Sequence, residues 1–89
     1  MDKSGLLQIG DLARMFHLSV SSLRHYESLG LLNPEYINPD SGYRYYGSEQ
    51  VDRLQDILYY RALGVELARI RECLDDPSFD RLAALQSHL

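Results

Sequence analysis

The run from Leu18 to Tyr46 constrains the fold more than any other part of this 89-residue chain. Ser19 can accept a hydrogen bond from the first free N–H groups of a helix. A short helix after it carries Ser21, Ser22, Arg24, His25 and Tyr26. Gly30 can take the left-handed conformation that ends helices. Leu31 and Leu32 return to the core, and Pro34 blocks further helix. Glu35-Tyr36-Ile37 and Tyr43-Arg44-Tyr45-Tyr46 are β-prone runs on either side of an Asn38-Pro39-Asp40-Ser41-Gly42 turn, the pattern of a hairpin. A helix followed by a hairpin that sets an arginine among tyrosines predicts a winged helix-turn-helix.

The flanking segments supply the rest of the core. Ile9, Leu12, Ala13 and Phe16 fall on one helical face and predict a first helix near residues 10–16, joined to the second through His17-Leu18-Ser19. Ser48 is placed to cap a third helix with Glu49 and Asp52 near its positive end. Val51, Leu54, Ile57 and Leu58 form its apolar stripe, and it ends at Gly64. A fourth helix over about 66–75 turns Leu67, Ile70 and Leu74 inward, with Cys73 beside them. Asp76-Pro77 reads as the start of another helix. On it Leu82, Leu85 and Leu89 form a heptad-like seam. The expected fold class is mainly α: a winged helix-turn-helix with a small β-hairpin wing, a following helix pair and the start of a further helix. Residues 1–77 make the winged helix-turn-helix domain and 78–89 the beginning of a further helix with the heptad-like seam. So short a seam predicts a monomer or a weak dimer.

Composition excludes several classes. The single cysteine, Cys73, leaves no internal disulfide and fits a reducing cytoplasm. No apolar run approaches a membrane span and no signal-peptide pattern opens the chain. Cys73, His17, His25 and His88 lack metal-ligand spacing, and acids, histidines and thiol are scattered without a nucleophile–base arrangement. The reading is therefore no metal, no cofactor and no enzyme. A net charge of −4 argues against a generic nucleic-acid binder, but most of the excess acid lies beyond residue 47. A phosphate-facing surface has to be local and shared by two subunits.

That surface is predicted on the second helix and the wing. Ser21, Ser22, His25 and Ser28 point away from the core, with Arg24 at the margin. Small hydroxyls flanked by a long cation suit close approach to a DNA groove, although an ordinary solvated face has the same pattern. Tyr26 can bury its ring and still offer its hydroxyl. Strand alternation sets Tyr43 and Tyr45 on one face and Arg44 and Tyr46 on the other, with one face packed on the helices and the other open. At least two of the four wing tyrosines only pack. Arg44, beside the Gly42 turn, is positioned for a sugar-phosphate backbone. Arg61 can satisfy the last carbonyls of the third helix.

Ile9-Gly10-Asp11-Leu12-Ala13, the Ser19–Glu27 run, Gly30-Leu31-Leu32, Gly42-Tyr43-Arg44-Tyr45-Tyr46 and the Leu63–Ile70 run resemble, in order and spacing, the DNA-binding domain of the MerR family. The tail and the wing are most similar to its multidrug-responsive branch. The resemblance implies DNA contacts by Ser19, Ser21, Ser22, Arg24, His25, Tyr26, Tyr43, Arg44, Tyr46 and Arg61, the last matching a basic position that contacts DNA in the family. It implies that residues 1–77 are the DNA-binding domain and that residues 78–89 begin a truncated dimerisation (coiled-coil) helix, pairing through Leu82, Leu85 and Leu89. The family commonly has glycine near His17, which implies a different turn here, and many members have a further cation in the first wing strand. The partners implied are a double-stranded promoter, a second copy when full length, RNA polymerase, and a small organic effector bound by a C-terminal domain not in this sequence. Activation would proceed by distortion of the DNA. An architectural or recombination accessory module and a protein-interaction module are the alternatives.

Overall fold

The computed structural model describes residues 5–76. Its elements are β1 (Leu7–Gln8), α1 (Ile9–Phe16), α2 (Val20–Ser28), β2 (Tyr36–Ile37), β3 (Arg44–Tyr46), α3 (Ser48–Ala62) and α4 (Leu67–Asp75). The expected stripe on α1 is the buried one: Leu12 and Ala13 are enclosed, and Ile9 and Phe16 pack at the edge of the core. At the start of α2 the Ser19 Oγ accepts the Ser22 N–H at 3.0 Å, which satisfies one of the helix's free donors. Gly30, at φ +74°, ends α2; its N–H donates to the Glu27 carbonyl at 2.9 Å, and the Leu31 N–H reaches the Tyr26 carbonyl at 2.8 Å. Leu31 and Leu32 are thereby turned into the core at 0 % and 1 % exposure.

The turn between α1 and α2 keeps a left-handed residue without a glycine. His17 sits at φ 56°, ψ 40°, and the following Leu18 N–H closes onto the Ala13 carbonyl at 2.9 Å. Holding a non-glycine residue there costs about 1–2 kcal/mol, and glycine would return part of that to unfolded-chain entropy. His17→Gly is therefore expected to stabilise the domain by about 0.5–1 kcal/mol, a rise of a few degrees in Tm. Thermal unfolding followed by circular dichroism measures it, and a lower Tm would mean that the imidazole itself contributes.

The hairpin forms as its turn residues require. The Asn38 Oδ1 accepts the Asp40 N–H at 2.9 Å, and the Gly42 N–H donates to the Asn38 carbonyl at 2.8 Å. The sheet has a third strand that periodicity does not reveal. β1 pairs antiparallel with β3 on the side opposite β2, giving the order β1-β3-β2, with Leu7 opposite Tyr46 and Gln8 opposite Tyr45. Two residues are too few to carry a period, so only the distant partner strand defines this one. The central position of β3 also corrects the expectation that one face of the hairpin stays open. Tyr43 lies outside the strand and is 59 % exposed, whereas Tyr45 and Tyr46 are both buried. Tyr46 joins the main core, and the ring of Tyr45 packs against that of Tyr36, with centroids 5.9 Å apart.

A smaller correction concerns the start of α3. Its N-cap is Gly47, not Ser48, and the Gly47 N–H is satisfied by the Gln50 Oε1 at 2.8 Å. Ser48 is the first helical residue because β3 runs directly into the helix. α3 and α4 then pack as a pair through Leu54, Ile57, Tyr60, Val65 and Ile70. Each fully buried aliphatic side chain of this kind stabilises by roughly 1.5–3 kcal/mol. Arg53 ties three segments together: its Nε donates to the Leu31 carbonyl and its Nη2 meets the Asp75 carboxylate at 2.7 Å. Cys73 lies in the core flank, where burial raises its thiol pKa and keeps it protonated. Asp76 caps the C-terminus of α4, with its N–H on the Glu72 carbonyl at 3.2 Å. Pro77 and the seam residues Leu82, Leu85 and Leu89 lie outside the described residues. Among the described residues no helix is long and apolar enough to cross a membrane.

Candidate nucleic-acid interface

The outward face of α2 carries polar side chains and the inward face carries the core anchors Leu23 and Tyr26. Ser21, Arg24, His25 and Ser28 are exposed, and Ser22 is half-buried. Ser19 and Ser22 face one another through their hydroxyls at 3.0 Å, so the capping residue and the first turn share a hydrogen bond. The Ser28 hydroxyl returns to the His25 carbonyl at 2.6 Å, which leaves the His25 ring as the outward group of that turn. This is a shallow face of small hydroxyls, an imidazole and one long cation, with nothing bulky to keep a groove away.

Two of the predicted contact residues do not belong to that face. Tyr26 and Tyr46 are 2 % and 1 % exposed and sit in the core cluster. Burial raises the Tyr46 hydroxyl pKa, with the nearby Glu27 charge adding to it, so the group stays neutral. α2 buries one residue in each turn, and the central strand β3 has both faces covered; that is why aromatic rings at these positions pack rather than reach out. Tyr26 keeps an indirect part. Its hydroxyl accepts a hydrogen bond from the Arg61 Nη1, and the Arg61 guanidinium carbon lies 5.9 Å from its ring centroid. Arg61 is thus directed across to α2.

Arg44 is held as well. Its Nε donates to the Glu27 Oε1 at 2.8 Å, and this hydrogen bond and charge raise its pKa above the usual arginine value. Its Nη1 lies 3.4 Å from the Gly42 carbonyl. Arg24, in contrast, has no ion-pair partner among the described residues. Arg24 of α2 and Arg44 of the wing both line a cleft of about 210 Å³, completed by Gln8, Ile9, Gly42 and Tyr43. The cleft brings together two guanidinium groups, an exposed phenol and the start of α1, a set of donors suited to an anionic oxygen. Gln8 and Ile9 have no sequence signal for this place, because β1 brings them there. Glu27 has none either, since its partner lies on another element. No group of three or more histidine, cysteine, aspartate or glutamate residues among the described residues could hold a metal ion.

Comparison with known proteins agrees with this geometry. The sequence pattern of the MerR HTH regulatory protein family matches residues 7–76. The HTH-type transcriptional activator mta of Bacillus subtilis is 44 % identical over 80 residues, which cover 90 % of this chain and 31 % of that protein. The chain therefore spans about a third of the length of this curated relative. The crystal structure of MtaN, the N-terminus of that Bacillus subtilis multidrug transporter activator, superposes with a TM-score of 0.87 at 43 % identity, over 92 % of this chain and 76 % of that one. The EcmrR chain in a cryo-EM EcmrR–DNA complex superposes with a TM-score of 0.78 at 32 % identity, over 91 % of this chain and 31 % of that one. With its family pattern running from β1 through α4 and its winged helix-turn-helix shared with these structures, the chain belongs to the MerR HTH regulatory protein family.

Proposed function

We propose that this chain is the DNA-binding module of a transcription regulator that acts on promoter DNA as a dimer in the cytoplasm. In this reading α2 of each copy lies in a major groove, with Ser21, Ser22 and His25 toward base edges and Ser19 at the adjoining backbone. Arg24, Arg44 and Tyr43 grip phosphates in the cleft beside it, and Arg61 reaches the backbone from α3. The observation that supports the reading is the cleft, lined by Arg24 and Arg44, together with the polar outward side of α2. Its support also comes from the relatives, named as a transcriptional activator and as a complex with DNA. The finer proposal is that two copies, joined through Leu82, Leu85 and Leu89, straddle a pseudo-palindrome. An organic effector, taken up by a further domain of the whole protein, then drives distortion of the DNA so that RNA polymerase can engage it.

Selection of duplexes from a random pool tests this reading. Recovered sites are expected to share two inverted half-sites about one helical turn apart, bound with an affinity that falls steeply with salt. Recovery of no common sequence, with binding retained, would favour an architectural role. Absence of salt-sensitive binding would remove DNA as the partner.

A further inference from the structure

Glu27 belongs to none of the groups expected to meet DNA, yet it stands at the junction of the two elements that do. It follows Tyr26 on α2, has 24 % of its side chain exposed, and accepts the Arg44 Nε at 2.8 Å. Arg44 is a residue of β3, opposite Ile37 in the hairpin register. The pair therefore joins the groove-facing helix to the wing. A partly exposed ion pair of this kind adds little to folding, so its effect is mainly geometric. The guanidinium is planar, and its Nε edge is distinct from its outer Nη edge. Binding the Nε edge, with Nη1 on the Gly42 carbonyl at 3.4 Å, fixes the plane and leaves the Nη2 donors for the cleft, which Arg44 lines and Glu27 does not.

We propose that Glu27 is a positioning residue for DNA binding: it holds Arg44 by its Nε edge and so sets the wing against α2 with the outer guanidinium edge presented to a backbone phosphate. The proposal rests on the DNA-binding reading above. It runs against simple charge counting, in which an acid near the DNA only repels it. A guanidinium free to swing would lose its place in the cleft, and with it its grip on one phosphate.

The test uses the chain, a labelled duplex of arbitrary mixed sequence, and four variants: Glu27→Ala, Glu27→Gln, Arg44→Ala and the double Glu27→Ala/Arg44→Ala. Affinity is measured across salt concentrations, with circular dichroism melts to confirm folding. Releasing one phosphate shallows the log-affinity against log-salt slope by about 0.9, equivalent to roughly tenfold weaker binding at 0.1 M salt. Arg44→Ala and Glu27→Ala are each expected to show that loss, and the double variant no more than either alone. Glu27→Gln keeps an acceptor oxygen for the Nε and is expected to bind within about twofold of the parent. Tighter binding by Glu27→Ala with a steeper slope would show mere repulsion and overturn the proposal. Losses that multiply in the double variant would overturn it too, as would a Gln variant as weak as the Ala variant. An unchanged slope in Arg44→Ala, with the parent still binding, would overturn it by removing Arg44 from the phosphates while leaving the α2 reading intact. A parent chain that does not bind the duplex would instead overturn the DNA-binding reading on which the proposal stands.

Discussion

Replacing Tyr46 with alanine is expected to unfold most of the domain rather than to weaken a DNA contact. The ring is 1 % exposed and packs in the main core cluster, so its loss leaves a large cavity. Truncating a buried aromatic to alanine costs about 3–5 kcal/mol, and small domains are stable by about 5 kcal/mol. The native population should therefore fall steeply, with a melting transition far below the parent's. Tyr43→Ala provides the contrast. Tyr43 is 59 % exposed, and its removal should change stability by no more than about 0.5 kcal/mol while reducing DNA affinity. Thermal melts and DNA titrations of the two variants decide the matter. A Tyr46→Ala protein that melts like the parent but binds DNA poorly would return Tyr46 to the contact surface.

Removing both cations of the cleft, Arg24→Ala with Arg44→Ala, should have the largest effect on binding. With two phosphates no longer neutralised, the salt slope would become shallower by about 1.8 and binding would weaken by roughly a hundredfold at 0.1 M salt. The effect should be the same on a selected site and on a random duplex, because phosphates carry no sequence information. Stability should change little, since Arg24 has no ion-pair partner among the described residues and the Arg44 pair is partly exposed. His25→Ala is the counterpart on the groove-facing side. Its ring is the outward group of its helical turn, so the expected cost is roughly 1–3 kcal/mol on the selected site and less on random DNA. A double arginine variant that loses affinity only on the selected site would mean that these cations read bases.

The same distinction explains which parts of the interface are legible in the residues alone. The outward placement of Ser21, Arg24 and His25 is readable because a helix repeats every 3.6 residues, and the positions of Leu23 and Tyr26 fix which side faces inward. Gly30 and the Asn38–Gly42 turn are readable because their conformations depend on local sterics and short-range hydrogen bonds. These features need no knowledge of where distant segments lie. The helices, the hairpin and the polar face of α2 follow from them, and the resemblance carried by the Ser19–Glu27 and Gly42–Tyr46 runs points to the family.

Pairing across the chain is not periodic, and there the residues alone are silent or misleading. β1 exists because β3 offers it an edge, and that pairing brings Gln8 and Ile9 to the cleft. With partners on both edges and both faces, β3 buries Tyr45 and Tyr46 alike, so neither face of the strand stays open. Whether Arg61 satisfies its own helix end or reaches elsewhere is open from sequence; the buried Tyr26 hydroxyl draws it to α2. Glu27 and Arg44 lie on separate elements and become partners only when the wing folds against α2. The local elements, and the kinds of side chain they present, are thus written in the order of the residues, because they depend on backbone sterics and short-range periodicity. Which tyrosines pack, which arginines are held and which acid holds them are settled by the folded arrangement, because packing, burial and ion pairing depend on segments that meet only when the chain has folded.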